Sequence, residues 1–248
     1  MKILDAAREL FAKRGYEAVT MREIARRIEY SATALYGHFA DKETLFQELC
    51  RRDFTDFAQS LLRQVGNATD PVEQLCQAGF MYLSFAEHYP EHYRLMFLAE
   101  HPEISPTEEE RNDPAQNAYV FLRALVATLI GSRALRPELD DVDLVAQTIW
   151  AAVHGAAALD LTVRQTEHWL DMKPRQERFR ATIELLVRGL MRNPDEQLKK
   201  MARILGGVAE AEASLATGAT PIKPSVKSPG TPKPRRARES VGRKKPRK

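Results

Sequence analysis

The sequence predicts an all-α protein, and three observations carry the prediction. Apolar residues recur at three- and four-residue spacing from the first ten residues onward. The breakers Gly, Pro, Asn and Asp fall between such stretches, and no stretch sustains the two-residue alternation of a half-buried strand. A chain of 248 residues can bury roughly 70% of its unfolded surface, so neither metals nor disulfides are needed to hold it. Cys50 and Cys76 sit inside apolar helical patterns, where a thiol behaves as a small hydrophobe; a reducing, cytoplasmic setting fits.

Each helix has its own signals. Ile3, Leu4, Ala7, Leu10 and Phe11 form one stripe, and Gly15 follows where a C-cap belongs. Thr20 and Glu23 have capping-box spacing and open a second helix that ends near Arg27. Ser31 caps a third that carries Leu35 and Phe39 inward. Asp41 caps a longer fourth, with Leu45, Phe46, Leu49, Phe54, Phe57, Leu61 and Val65 on its inner side. Proline after a capping residue marks further starts at Asp70-Pro71, Asp113-Pro114 and Asn193-Pro194. Tyr89-Pro90 turns into EHYRLMFL, and the acidic run from Glu100 to Asn112 reads as a loop. Helices are expected over 114–131, 141–162, 175–192 and 195–213, the last with Leu198, Met201, Leu205 and Val208 on its apolar side.

The net charge of +3 conceals an asymmetry. Residues 222–248 hold eleven Lys or Arg against Glu239, a charge of +10, which leaves residues 1–221 at −7. Beyond Ala216 apolar residues nearly vanish, so a disordered basic tail is expected. No membrane partner is expected: MKILDAARELF has no continuous apolar core, and Gln147, His154 and Asp160 interrupt the most apolar stretch, Leu144 to Leu161. That stretch suits a buried helix or an interface.

Three helices within forty residues, the second and third joined by about three residues, make a helix-turn-helix. The spacing alone fits a DNA reader and a plain helical bundle equally well. The residues add more. ILDAARELFAKRGYEAVTMREIARRIEYSATALYGHFADKETLF resembles the N-terminal domain of the TetR family of regulators over residues 3 to about 50, through its LF-x-x-x-G-Y step, T-x-R-x-I-A second helix, L-Y-x-H-F third helix and K-E-x-L start of the fourth. The resemblance implies binding of double-stranded DNA. Thr20, at the N-terminus of the second helix, and Arg22 would meet a phosphate; Ser31, Ala32 and Thr33 would face base edges, with the methyls of Ala32 and Thr33 suited to thymine. Tyr36 and His38 would reach backbone or bases, and Lys42 would clamp a phosphate. The chain departs from the pattern at Glu29, where many members have glycine, at Ala32 and at Gly37. The recognition surface is therefore small, which favours reading of DNA shape, and Glu29 repels DNA if it faces outward.

Farther on, PEHYRLMF from Pro90 and WAAVHGAAAL from Trp150 resemble a C-terminal domain type named for its Trp, His and Gly. Trp150 and His154 share a helix face. They form either an effector pocket with Phe80, Tyr93, Met96 and Phe97, or ordinary core packing around a satisfied histidine. His88 and His92 have metal-pair spacing, but Pro90 interrupts the helix between them, so no metal or other cofactor is expected. No catalytic constellation is visible, and the chain is not expected to be an enzyme. The expected organisation is a DNA-binding domain over 1–48, a helical effector-binding and dimerisation domain over 49–213 and a tail over 214–248. The family resemblance implies a homodimer through helices 141–162 and 175–192. Two functional readings stand. One is a repressor released by an apolar or aromatic small molecule; the other is an effector-independent or architectural DNA binder in which the tail supplies non-specific affinity.

Overall fold

The computed structural model describes residues 2–66, 68–102, 107–163 and 170–202. Among the described residues there are ten named helices and no strand: α1 Lys2–Arg14, α2 Met21–Arg27, α3 Ala32–Tyr36, α4 Lys42–Val65, α5 Pro71–His88, α6 Pro90–Phe97, α7 Glu108–Asn112, α8 Ala118–Gly131, α9 Val142–Thr162 and α10 Arg175–Leu190.

The caps legible in the sequence form as expected. Gly15 takes the left-handed conformation (φ +80°) and its N–H closes on the Phe11 carbonyl at 2.8 Å. The Thr20–Glu23 capping box opens α2, and Ser31, Asp41 and Asp70 accept from backbone amides at the starts of α3, α4 and α5. The end of α2 is a Schellman motif: Tyr30 N donates to the Ala25 carbonyl and Glu29 N to the Arg26 carbonyl. Its left-handed position is held by Glu29 (φ +61°), a residue with a Cβ where glycine is favoured. Glu29→Gly is therefore expected to stabilise the fold by about 0.5–1 kcal/mol, the relief of left-handed strain less the greater freedom of the unfolded chain. A urea midpoint that fails to rise would show that the strain is taken up elsewhere.

Two expectations are corrected. The Glu100–Asn112 run contains α7, opened by a capping box in which Glu110 N donates to Thr107 Oγ1 at 3.2 Å and Thr107 N donates to Glu110 Oε2 at 2.7 Å. Composition argued for a loop because no apolar stripe follows the cap. The next helix starts at Ala118 rather than 114: Asp113 spends its carboxylate on Ala115 N and Gln116 Nε2 in a turn, and Asn117 caps α8.

Two hydrophobic cores organise the chain. The first gathers α1–α3 and the start of α4 around Phe11, Ile24, Leu35 and Phe46, with Leu95 of α6 inserted from outside. The second packs the rest of α4 with α5, α6, α8, α9 and α10. Helix α4 runs through both. Where it crosses, Asp53 is buried and takes two hydrogen bonds from Arg8 of α1, at 3.0 Å from Nε and 2.7 Å from NH2. Cys50 and Cys76 are buried in the two cores, and burial pushes both thiols up to about 12, so neither is a nucleophile at neutral pH. Residues 194–202 are helical, as Asn193-Pro194 predicted. Leu198 and Met201 pack on the second core and Lys200 reaches Asp70 at 3.1 Å, so this segment lies against its own chain. The remainder of the helix expected to 213 and the basic tail lie outside the described residues.

One described helix, α9, is long and apolar enough to cross a membrane by length and composition. It packs on α5, α8 and α10, burying Val145, Ala146, Ile149, Val153 and Ala157.

Candidate functional site

The first candidate surface is the outer face of α2 and α3. Leu35 points into the core, which turns Ser31, Thr33, Ala34 and Tyr36 outward, with His38 exposed just beyond the helix. Ala32 is half-buried. Tyr36 is 51% exposed, a large aromatic that the core leaves uncovered. Arg22, on α2, and Glu29, just past its end, are both exposed.

The structure refines three of the expected phosphate contacts. Thr20 N and Thr20 Oγ1 both donate to Glu23 Oε2 at 2.9 Å, so a carboxylate of the chain already occupies that end of α2. Arg14 pairs with Glu23 at 2.7 Å and, with the Thr20 hydrogen bonds, holds its carboxyl down at about 2. Thr20 is thus chiefly a cap, and Arg22 is exposed with no ion pair among the described residues. Lys42 is half-buried; its Nζ donates to the Tyr16 carbonyl at 2.9 Å and sits 4.1 Å from the centre of the Tyr16 ring. The Glu17 carbonyl lies 3.5 Å and its carboxylate 4.0 Å from the same Nζ, so this anchoring orients Lys42, and of its three hydrogens one is left for a phosphate.

The second candidate is a cavity of about 800 Å³ inside the second core, within the range of small-molecule sites. Helix α4 supplies Arg51, Phe54 and Phe57 to its wall; α5 to α10 and the connecting residues His101, Gln116 and Asn117 complete it. Of the aromatic set expected from the sequence, Met96, Phe97, Trp150 and His154 line it. Tyr93 is fully buried behind the lining and touches it through His154. Phe80 is not among the lining residues: on α5 the cavity side is Leu75, Ala78, Gly79 and Tyr82, and Phe80 lies around the helix from them.

A polar cluster sits in this apolar wall. Tyr93 Oη is 2.7 Å and Tyr82 Oη 3.1 Å from His154 Nδ1, the two hydroxyls are 3.1 Å apart, and Trp150 Nε1 donates to Tyr82 Oη at 3.3 Å. Burial lowers the pKa of His154, which favours the neutral ring. At another part of the lining Arg51 pairs with Glu110 of α7 at 2.7 Å. Sequence reasoning missed Tyr82, Arg51 and Glu110, which the fold brings to the cavity from three separate helices. Among the described residues no group of three His, Cys, Asp or Glu side chains stands together as a metal site.

Fold and surface together define a helix-turn-helix DNA-binding regulator with a second helical core that contains a cavity. The family model described as bacterial regulatory proteins, tetR family, matches residues 3–49, and one described as tetracyclin repressor-like, C-terminal domain, matches residues 75–186. The second match names no Trp-His-Gly subtype. The HTH-type transcriptional repressor KstR2 of Mycobacterium tuberculosis is 32% identical over 164 residues, 61% of this chain and 78% of that one. The HTH-type transcriptional activator FasR of Mycolicibacterium smegmatis is 30% identical over 154 residues, 61% of this chain and 69% of its own length. A similar solved structure is the transcriptional regulator FadR of Bacillus subtilis in complex with stearoyl-CoA: TM-score 0.62 and 20% identity, covering 75% of this chain and 96% of that one. The chain belongs to the TetR family of transcriptional regulators, which bind DNA and act as dimers. It is a regulator rather than an enzyme.

Proposed function

We propose that this regulator is an effector-responsive repressor, working in the cytoplasm, whose dimer grips a pseudo-palindromic operator and releases it when a largely apolar molecule fills the cavity. The observation that carries this reading is the continuity of α4. One helix contributes Leu45, Phe46 and Leu49 to the DNA-binding core and Phe54 and Phe57 to the cavity wall. The cavity also adjoins the first core through His101, whose ring lies 5.1 Å from Phe46. A ligand favouring a different tilt of α4 shifts the two reading heads relative to each other and lowers the affinity of one state for DNA. The size and apolar lining suit an elongated ligand of the kind the Bacillus subtilis regulator holds, an acyl-CoA.

In this reading residues 1–48 form the DNA-binding domain, 49–213 the effector and dimer domain, and 214–248 an accessory tail. Arg22, Ser31, Thr33, Tyr36, His38 and Lys42 face DNA, with Ala32 near a thymine methyl and Thr20 holding α2 in place. The dimer forms through α9 and α10, setting two recognition helices roughly 34 Å apart, about one DNA turn. The +10 charge of residues 222–248 supports a second contribution, salt-dependent affinity without sequence preference.

Selection of bound genomic fragments, followed by anisotropy titration at several salt concentrations, tests the proposal. A short palindrome bound by a dimer is expected, with Tyr36→Ala and Lys42→Ala each weakening it by about tenfold, one good contact per half-site. Diffuse enrichment with a salt slope that disappears on deletion after Ala216 would instead establish the architectural reading.

A further inference from the structure

We infer that the effector site is completed by the second copy of the chain: the partner forms one rim of the cavity mouth on α9, so effector and dimer stabilise each other. This inference rests on the effector and dimer readings above and adds the coupling between them.

The place where the cavity opens carries the argument. Of the described residues that line it, Gln147, Trp150 and Ala151 are exposed, and every other is buried or half-buried. The mouth therefore lies at one turn of α9. Two of its side chains are held from within: Gln147 Nε2 donates to Tyr119 Oη at 3.2 Å and Trp150 Nε1 to Tyr82 Oη at 3.3 Å. Ala151 has only a methyl, too short to cover the opening beside it. The side chains of this turn thus leave an apolar ligand partly in contact with water.

Ala151 belongs to a second surface as well. With Leu144, Thr148, Gly155 and Leu159 it makes the exposed stripe of α9. Successive residues of a helix turn by about 100°, so Ala151 stands about 40° from Gln147 on one side and about 40° from Gly155 on the other. Mouth and stripe lie edge to edge. A two-fold dimer that buries the exposed leucines brings the partner over Ala151, while the Trp150 side, farther around the helix, stays open for entry. The partner then supplies apolar contact that one chain lacks, and a ligand touching both copies binds the dimer more tightly than the monomer. By linkage the ligand tightens the dimer in turn. Release of DNA is then a realignment of two joined reading heads rather than a separation of subunits.

The test is a titration of the full-length protein with the neutral apolar dye N-phenyl-1-naphthylamine, beside sedimentation equilibrium of the same samples. The dimer is expected to hold the dye about five- to tenfold more tightly than a monomeric variant carrying Leu159→Glu and Leu185→Glu, the worth of about 50 Å² of apolar contact. In the unaltered chain, saturating dye should lower the dimer dissociation constant about 25- to 100-fold, the square of that factor, because each dimer has two cavities. Dilution of the unaltered chain through that constant reads the same coupling without relying on the fold of the variant. Equal dye affinity in monomer and dimer, or a dimer loosened by dye, overturns the shared site and leaves the effector cavity standing. A variant that stays dimeric overturns it by moving the interface off α9 and α10. If neither form binds dye, the effector reading falls with it.

Discussion

Replacing Arg8 with alanine is expected to lower the unfolding free energy by about 3–5 kcal/mol, the cost of leaving one charge of a buried pair alone. Asp53 is 2% exposed and receives both Nε and NH2 of Arg8, while NH1 reaches Asp5 at 2.9 Å. Burial by itself would lower the guanidinium pKa; hydrogen bonding and charge from Asp53, then Asp5, outweigh it and raise it. The effect lies in the orphaned carboxylate rather than in the pair. Exchanging both partners, Arg8→Met with Asp53→Leu, should therefore recover most of the loss. The pair ties α1 to α4 where α4 passes from one core to the other, so Arg8→Ala should also loosen the DNA-binding unit. Urea melts of the two single variants and the double variant decide the matter. A loss below about 1 kcal/mol for Arg8→Ala would mean that water reaches Asp53 and that the link between cores is weak.

The features legible in the sequence are those fixed by a few neighbouring residues. A capping side chain meets an amide two or three positions away, so Thr20, Ser31, Asp41 and Asp70 identify helix starts without knowledge of the fold. Asp113 misled because Asn117, four residues on, offers a competing cap, and propensity does not choose between them. Thr107–Glu110 was missed for the opposite reason: the box was present but no hydrophobic run followed it. Trp150 and His154 were legible as a pair because they lie one turn apart on one helix. Tyr82 and Tyr93, which complete the cluster, sit on α5 and α6, and only tertiary packing brings their hydroxyls to His154. Phe80 shows the limit of composition: an aromatic residue on the right helix lies off the face that the cavity uses.

Placing a glutamate at both Leu159 and Leu185 is expected to yield a monomer and to reduce operator affinity at least about a hundredfold, because two linked half-sites bind with an avidity that one alone lacks. The warrant is the outer surface of α9 and α10. Leu185 is 69%, Leu144 62% and Leu159 43% exposed on the single chain, and burying each such side chain is worth about 1.5–3 kcal/mol. On α9 the exposed residues Leu144, Thr148, Ala151, Gly155, Leu159 and Thr162 follow a three- and four-residue rhythm, which gathers them on one side. A Cβ built on Gly155 or Gly189 meets nothing within 4 Å, so the chain's own packing does not require these glycines. Small residues between exposed leucines admit a second helix at close range, as a two-fold interface built from the same surface on both copies would demand. A carboxylate at each leucine stays hydrated in the monomer but would be buried against its like in the dimer. Gly155→Leu separates the interface from the fold: it enters open space in one chain and blocks the approach of the other. Sedimentation equilibrium beside thermal melts reads both effects. Monomers with unchanged melting of the single chain place the interface on α9 and α10, and dimers that persist in both variants move it to another surface.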